Sequence, residues 1–453
     1  MSESPKNTFL EGPLVVTYAK TALPIIFVMA MSGLLAVADA LFLGHYVGPD
    51  ALAAVTLMFP VYMLIVALAT LVSNGMSSLL ARHLGGNRLT GLALVVGATL
   101  ILLFLLFGRK AAMLAAGGSE DLAGMGLVYL RITVLFSPLL FVLAVNSDTL
   151  RNEGRVGFMA AMSLLVSLAN IGFNYVLIAR LDMGVAGSAY GTAMAQSLGL
   201  AIITIFRFRG TTILRLSALR HHRMTHSWGR ILALGAPQSL NFIGIALGSA
   251  AIMAALQIVN SPSYEATVSA YGIITRVLTF AYLPLLGLSH AMQTITGNNF
   301  GAGQWLRSNN SLKLAIVTAF AYCATLQFAM TLFAEQIGAA FVDDPVVIAE
   351  VSRILPVIVA LFFLAGPLMM IAAFFQAIGD AGRAALLGFS KPYLFAIPLT
   401  FTFAGTMGEI GIWTAGPVAE ALLLVLTAAV LARTARIGSL RWGVFHSIAE
   451  ERT

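Results

Sequence analysis

Long apolar runs alternate with short polar breaks along the whole chain. The runs repeatedly reach the roughly 20 residues that a helix needs to cross a bilayer. Twelve segments are legible, near 15–46, 51–81, 89–108, 122–147, 157–179, 184–207, 229–259, 265–297, 311–333, 346–377, 384–404 and 409–432. Barrel strands would alternate polar and apolar positions with a period of two, and these runs do not. The pattern predicts an all-α polytopic membrane protein with 12 transmembrane helices. The first, second, seventh, eighth and tenth segments run to about 30 residues, which predicts tilt, a bend or extension beyond the lipid. Pro24 in the first and Pro60 in the second each remove a helix hydrogen bond and are the expected bend points.

Composition agrees with the pattern. The chain is 59% hydrophobic and 10% charged, against roughly 25% charged in a soluble domain. Cys323 is the only cysteine, which leaves no internal disulfide and no cysteine-based metal cluster. A net charge of +7 invites a nucleic-acid reading, but the placement of the basic residues gives another. Of the 26, Arg131, Arg276 and Arg353 fall inside segments, Arg109, Lys110 and Arg180 lie on one side, and the remaining 20 on the other. That asymmetry predicts that both termini are cytoplasmic and that the charge reports topology, with no nucleic-acid partner. Residues 1–18 lack the basic-then-apolar pattern of a cleaved signal, so the first helix is the expected insertion signal. The expected location is a plasma membrane, the inner membrane of a bacterium.

The longest basic stretch, 207–230, divides the chain nearly in half, and the halves resemble each other. Ser73–Arg88 aligns without gaps on Ser289–Gln304, Leu23-Pro24 pairs with Ala236-Pro237, and Leu150–Gly157 faces Phe375–Gly382. Two six-helix lobes, 1–214 and 215–453, related by a pseudo-twofold axis along the membrane normal, are expected from such a parallel repeat.

One residue stands out within this frame. Asp39 sits in a stretch otherwise almost free of charge, where a central carboxylate costs about 2.5–3.5 kcal/mol on insertion scales. It is a candidate proton or cation site. Asn170 and Asn174, four residues apart, share one helical face, Tyr129 lies in the fourth segment and Thr192 in the sixth, so a polar cluster around Asp39 is expected in the first half. No Gly-Lys pair and no His-Glu-x-x-His occurs, so neither a phosphate-binding loop nor a zinc-hydrolase motif is present. A pump of this kind draws on an ion gradient, without a cofactor. Paired aspartates at Ala38-Asp39 and Gly379-Asp380 would suit an intramembrane aspartyl protease. Asp380, however, sits at the opposite end of its span and the Gly-x-Gly-Asp form is absent, so no enzyme is expected.

The first helix reads Leu-Pro and, fifteen residues after the proline, Asp39, followed by Leu-Phe-Leu-Gly-His. Leu150-Arg-Asn-Glu-Gly154, Asn170-Ile-Gly-Phe-Asn-Tyr-Val-Leu-Ile178 and Gln376-Ala-Ile-Gly-Asp380 follow in order. Over nearly its whole length the chain resembles the multidrug and toxic compound extrusion (MATE) transporters. The resemblance implies a two-lobe antiporter that expels organic cations or amphiphiles in exchange for H⁺ or Na⁺. It also implies an amino-terminal cation site, whose matching positions are Asp39, Tyr129, Asn170, Asn174 and Thr192, with Pro24 as the conformational bend. Two departures stand against the family pattern: Asn174 occupies a position where many relatives carry Asp, and the seventh helix has no acid between Ser239 and Gln257. The first removes one ionisable group from the cluster; the second weakens a Na⁺ site in the carboxyl-terminal lobe and favours H⁺ at Asp39, with Na⁺ ligated there as the alternative. Asp380 reads as a helix-end acid paired with Arg383 and secondarily as a coupling site. Arg276, about 15 Å into its helix at helical rise, is placed in the cavity or in a pair within the carboxyl-terminal lobe. The expected partners are small organic cations, amphiphiles and the lipid bilayer, with the protein monomeric. The alternative function is a flippase for lipid-linked precursors, whose anionic headgroups would suit Arg276.

Overall fold

In the computed structural model, residues 10–80, 98–102, 104–106, 108–110, 112–113, 116, 119–152, 156–208, 228–260, 263–438 and 442–445 are described. Nearly all of them are helical, as a bilayer requires of backbone that has no water to bond. The elements are α1 (Leu14–Phe42) running into a π-helical turn (Leu43–Val47), α2 (Pro49–Leu57), α3 (Phe59–Leu80), α4 (Glu120–Leu135), α5 (Ser137–Asn152) and α6 (Val156–Asn174). A second π turn (Tyr175–Arg180) precedes α7 (Gly184–Phe208), α8 (Trp228–Val259) and α9 (Tyr264–Gly301). Then come α10 (Trp305–Leu332), α11 (Ala334–Phe341), α12 (Pro345–Ile358), α13 (Phe362–Ala377) and α14 (Ala381–Phe389). A third π turn (Ser390–Ala396) leads into α15 (Ile397–Met407) and α16 (Glu409–Gly438).

Among the described residues, eight helices are long and apolar enough to cross a membrane, or eleven if each of three bent pairs is one span. Most of the expected third segment lies outside the described residues. The bent pairs are α2 with α3, α4 with α5, and α12 with α13, each turned by 48°. Two of the breaks share one cause. Pro60 and Pro138 are the second residues of α3 and α5, where a proline's missing N–H costs the new helix nothing, while its ring disfavours helical backbone just before it. The break in the second segment falls at the expected Pro60. The break in the fourth carries the same signal at Pro138, in a segment of ordinary length where no bend is expected. Pro24, by contrast, lies inside α1, which is continuous from Leu14 to Phe42.

The described chain forms two compact units that interleave in sequence. Unit 1 comprises 1–33, 277–337 and 352–453; unit 2 comprises 34–276 and 338–351. Both α1 and α9 therefore contribute a portion to each. In unit 2, α3 packs along α8 and α5, α7 along α6 and α4, and α2 along α4. Ile65, Ala69 and Val72 of α3 meet Val134 of α4 and Phe141 and Val145 of α5 in one buried cluster. In unit 1, α10 packs on α13, and α16 on α15, α13 and the third π turn. At Gly366 a Cβ would fall 2.7 Å from the Ala319 carbonyl oxygen, so the missing side chain is what lets α13 approach the α10 backbone.

Two sequence expectations change here. Lys391, counted with the cytoplasmic basic residues, lies inside the span Gly382–Met407. Among the described residues, Arg276 forms no ion pair within the carboxyl-terminal half: its guanidinium donates to the Gly272 carbonyl of its own helix and reaches Thr56 of the second segment.

Candidate functional site

Asp39 occupies the last turn of α1, in the part of that helix that belongs to unit 2. Its Oδ1 accepts two hydrogen bonds, from Ser188 Oγ at 2.5 Å and from Asn174 Nδ2 at 2.9 Å. No hydrogen bond reaches Oδ2 from the described residues. The Asn174 amide also donates to Asn170 Oδ1 at 3.0 Å, and Asn170 Nδ2 donates to Thr192 Oγ1 at 2.9 Å. The result is a network in which the Asn174 amide donates both to the carboxylate and to Asn170, Asn170 donates onward to Thr192, and Ser188 closes on the same Asp39 oxygen.

Local geometry explains the assembly. Asn170 and Asn174 stand one turn apart on α6, and Ser188 and Thr192 one turn apart on α7. Those two helices pack together, so matched one-turn spacings place two polar rungs against each other. Gly191 makes the approach possible, because a Cβ there would collide with Asn174 Oδ1. That oxygen is buried and has no hydrogen-bond partner among the described residues, while Asn170, Asn174 and Ser188 are all essentially inaccessible. A neutral acceptor left bare beside a carboxylate is an unfinished polar site.

Three larger side chains surround the network. Tyr129 packs against Leu43, Ala51, Val55 and Val185, within electrostatic reach of Asp39 but without a hydrogen bond to it. Tyr62 stands in the same relation. Arg276, buried on α9, donates through Nη1 to the Gly272 carbonyl at 2.9 Å and to Thr56 Oγ1 at 3.2 Å, and its charge attracts that of Asp39. The five candidate coupling residues thus lie in one unit, four of them in one hydrogen-bonded network. Ser188, Tyr62 and the placement of Arg276 were missed. Ser188 carried a usable signal, one turn before Thr192 in a stretch of small residues.

Asp380 stands apart from this network. Its Oδ1 accepts from the Arg383 backbone N–H at 3.1 Å as the cap of α14, and its Oδ2 pairs with Arg383 Nη1 at 2.7 Å. Both carboxylate oxygens are occupied, the arrangement of a capping acid. No group of three or more His, Cys, Asp or Glu side chains suited to a metal occurs among the described residues.

The model of one protein family, MatE, matches residues 24–176 and 237–402, more than half of the chain. The chain belongs to the MatE family. It is therefore a multi-pass membrane protein of a transporter family. This MatE protein is 24% identical over 402 residues to the probable multidrug resistance protein YoeA of Bacillus subtilis, covering 84% of this chain and 86% of that one. It is 23% identical to an FAD transporter of Shewanella oneidensis, covering 92% of this chain and 94% of that one. Among solved structures it resembles an inward-facing MATE family multidrug resistance transporter with a TM-score of 0.79 at 21% identity, over 91% of this chain and 96% of that one. It also resembles the MATE multidrug transporter DinF-BH in complex with a dye, with a TM-score of 0.76 at 24% identity, over 96% of this chain and all of that one. The likeness carries the fold, an all-helical bundle of membrane-spanning segments.

Proposed function

We propose that this protein is a secondary-active antiporter that expels cationic or amphiphilic organic compounds in exchange for H⁺, with Asp39 as the coupling group. The observation that carries the reading is the division of labour at the Asp39 carboxylate. Oδ1 is held by Ser188 and Asn174, and Oδ2 accepts no hydrogen bond from the described residues. A proton arriving at Oδ2 neutralises the group without breaking either bond. Na⁺ at Oδ1 would have to displace the two donated hydrogens, whereas a proton at Oδ2 leaves them in place. This favours H⁺ over Na⁺.

Protonation removes the charge to which the Arg276 guanidinium and the Asn174 amide are oriented. The two charge states therefore favour different arrangements of α1, with Pro24 as the bend. In the reading we propose, the six-helix halves 1–214 and 215–453 rock between two accesses, and proton and substrate each prefer one of them. Organic-cation cargo is supported by the relatives, among them the multidrug resistance protein YoeA and the dye-bound multidrug transporter DinF-BH.

The experiment is transport of a fluorescent organic cation in proteoliposomes, with a proton or sodium gradient imposed separately and no nucleotide present. Wild type should respond to the proton gradient, and Asp39→Asn should not, while remaining folded. Wild-type rates in the Asn variant would show that the proton travels elsewhere. Reporter fusions at Thr453 and beside His222 test the expected cytoplasmic location of both.

A second reading has one specific support, the similarity to an FAD transporter: cargo that is an anionic dinucleotide. Uptake of FAD in the same liposomes, without movement of organic cations, would establish it. The lipid-linked-precursor flippase loses its main support, because Arg276 is engaged by Gly272, Thr56 and Asp39 instead of standing free.

A further inference from the structure

A second buried charged cluster lies within unit 1. Lys391 Nζ forms an ion pair with Glu420 Oε2, and the Tyr282 side chain lies within electrostatic reach of both. Lys391 sits in the span Gly382–Met407 and Glu420 in the span Glu409–Arg436. Ionisable groups at such depth are rare and mark functional positions by default. Lys391 also stands on the π turn Ser390–Ala396, a backbone irregularity found often at functional sites. Tyr282 is fixed by an edge-on contact with the Phe362 ring at 5.2 Å.

A structural ion pair would satisfy both carboxylate oxygens, and this one does not. Glu420 Oε1 is sealed from solvent and has no hydrogen-bond partner among the described residues. The two partners also differ in access, since the Lys391 side chain is 31% exposed and that of Glu420 only 6%. The more accessible side chain is the cation, and an ammonium takes an anion. The sealed group is the acid, which nothing larger than a proton reaches without rearrangement. A proton on Oε1 would satisfy the bare oxygen, but alone it would leave Lys391 as an uncompensated charge. An anion alone would place two negative groups on one lysine. Only the two together keep the cluster neutral.

We propose that Lys391 and Glu420 form a binding site for an organic anion, a carboxylate, phosphate or sulfonate, which is taken up together with one proton. On binding, the Lys391–Glu420 ion pair breaks, a proton from bulk water bonds to the Glu420 carboxylate, and the anion pairs with the Lys391 ammonium. The titratable groups facing Glu420 are Lys391, Tyr282 and Cys323. The inference goes beyond the Asp39 reading and does not need it, because it concerns binding in the absence of any gradient.

The test is calorimetric titration of the purified full-length protein in lipid nanodiscs with naphthalene-2-sulfonate, whose charge is constant over the pH range used, and with empty nanodiscs subtracted. Two buffers of different ionisation enthalpy report the protons taken up. Wild type should bind with about one proton absorbed per anion. Lys391→Met should bind about 30-fold more weakly or worse, Lys391→Arg should retain binding, and Glu420→Gln should bind without proton uptake. Because Lys391→Met strands a buried acid, the double variant Lys391→Met/Glu420→Gln, neutral at both positions, is measured beside it. Wild-type affinity in the double variant, or anion binding by wild type with no proton absorbed, overturns the proposal.

Discussion

The Asp39 network of unit 2 and the Lys391–Glu420 cluster of unit 1 solve the same problem in opposite ways. Each stabilises a carboxylate within a membrane span. Asp39 is held at one oxygen by neutral donors, Ser188 and Asn174, with the Arg276 charge in reach but engaged elsewhere. Glu420 is neutralised directly by Lys391, and its second oxygen is shut in. A carboxylate held by dipoles can change its charge without breaking the hydrogen bonds it accepts. One held by an opposite charge cannot lose its own without stranding that partner. The first arrangement suits cycling by a proton alone, and the second suits a proton that arrives with an anion.

The largest test of this contrast is Asp39→Asn. Gradient-driven transport in proteoliposomes should fall to the level of empty liposomes, while thermal unfolding in detergent changes little, because Asn keeps the shape and an oxygen facing Ser188. The corresponding truncation in unit 1 should act on stability instead. Glu420→Ala leaves the Lys391 ammonium unpaired and should cost about 3–5 kcal/mol, whereas Lys391→Met/Glu420→Gln should be near neutral or stabilising. Equal melting temperatures for the single and double variants would remove the distinction between the two clusters.

Smaller effects sharpen the unit 2 side. Ser188→Ala removes a hydrogen bond to a charged oxygen and should cost about 1.5–3 kcal/mol. In an Asp39→Asn background the same change should cost visibly less, and a double-mutant cycle by thermal unfolding measures the difference. Gly191→Ala drives a methyl group onto Asn174 Oδ1 and should destabilise by about 1–3 kcal/mol through overpacking. It should also lower transport by displacing the Asn174 amide from Asp39. Unchanged transport in Gly191→Ala would mean that the Asn174 bond is dispensable for coupling.

Much of the site was legible because its residues break a pattern. Asp39 is visible as a lone charge in an apolar run, and Asn170 and Asn174 by their spacing on one face. Ser188 was not, since a serine among Gly and Ala reads as helix packing until Asn174 is seen across from it. Glu420 escaped notice although it lies well inside a segment. Lys391 passes for a residue at a cytoplasmic end because it stands only seven positions into the eleventh segment, counted from 384, and basic residues sort to the nearest break. Pro60 and Pro138 carry one signal, yet only the longer segment prompts the expectation of a bend.

The apolar periodicity by itself determined that the chain is helical, crosses the membrane many times and lacks the motifs of nucleotide or zinc chemistry. These are properties of local composition and of the bilayer as a solvent, which demands that backbone groups be satisfied within each segment. Only the tertiary structure decided which polar atoms meet. The Ser188–Asp39 bond spans 149 positions and the Arg276–Thr56 bond 220, separations over which a linear pattern carries no register. It also decided which atoms are left over, Asn174 Oδ1 and Glu420 Oε1 among them. An unmet hydrogen bond is a property of packed neighbours and has no signature in the order of residues.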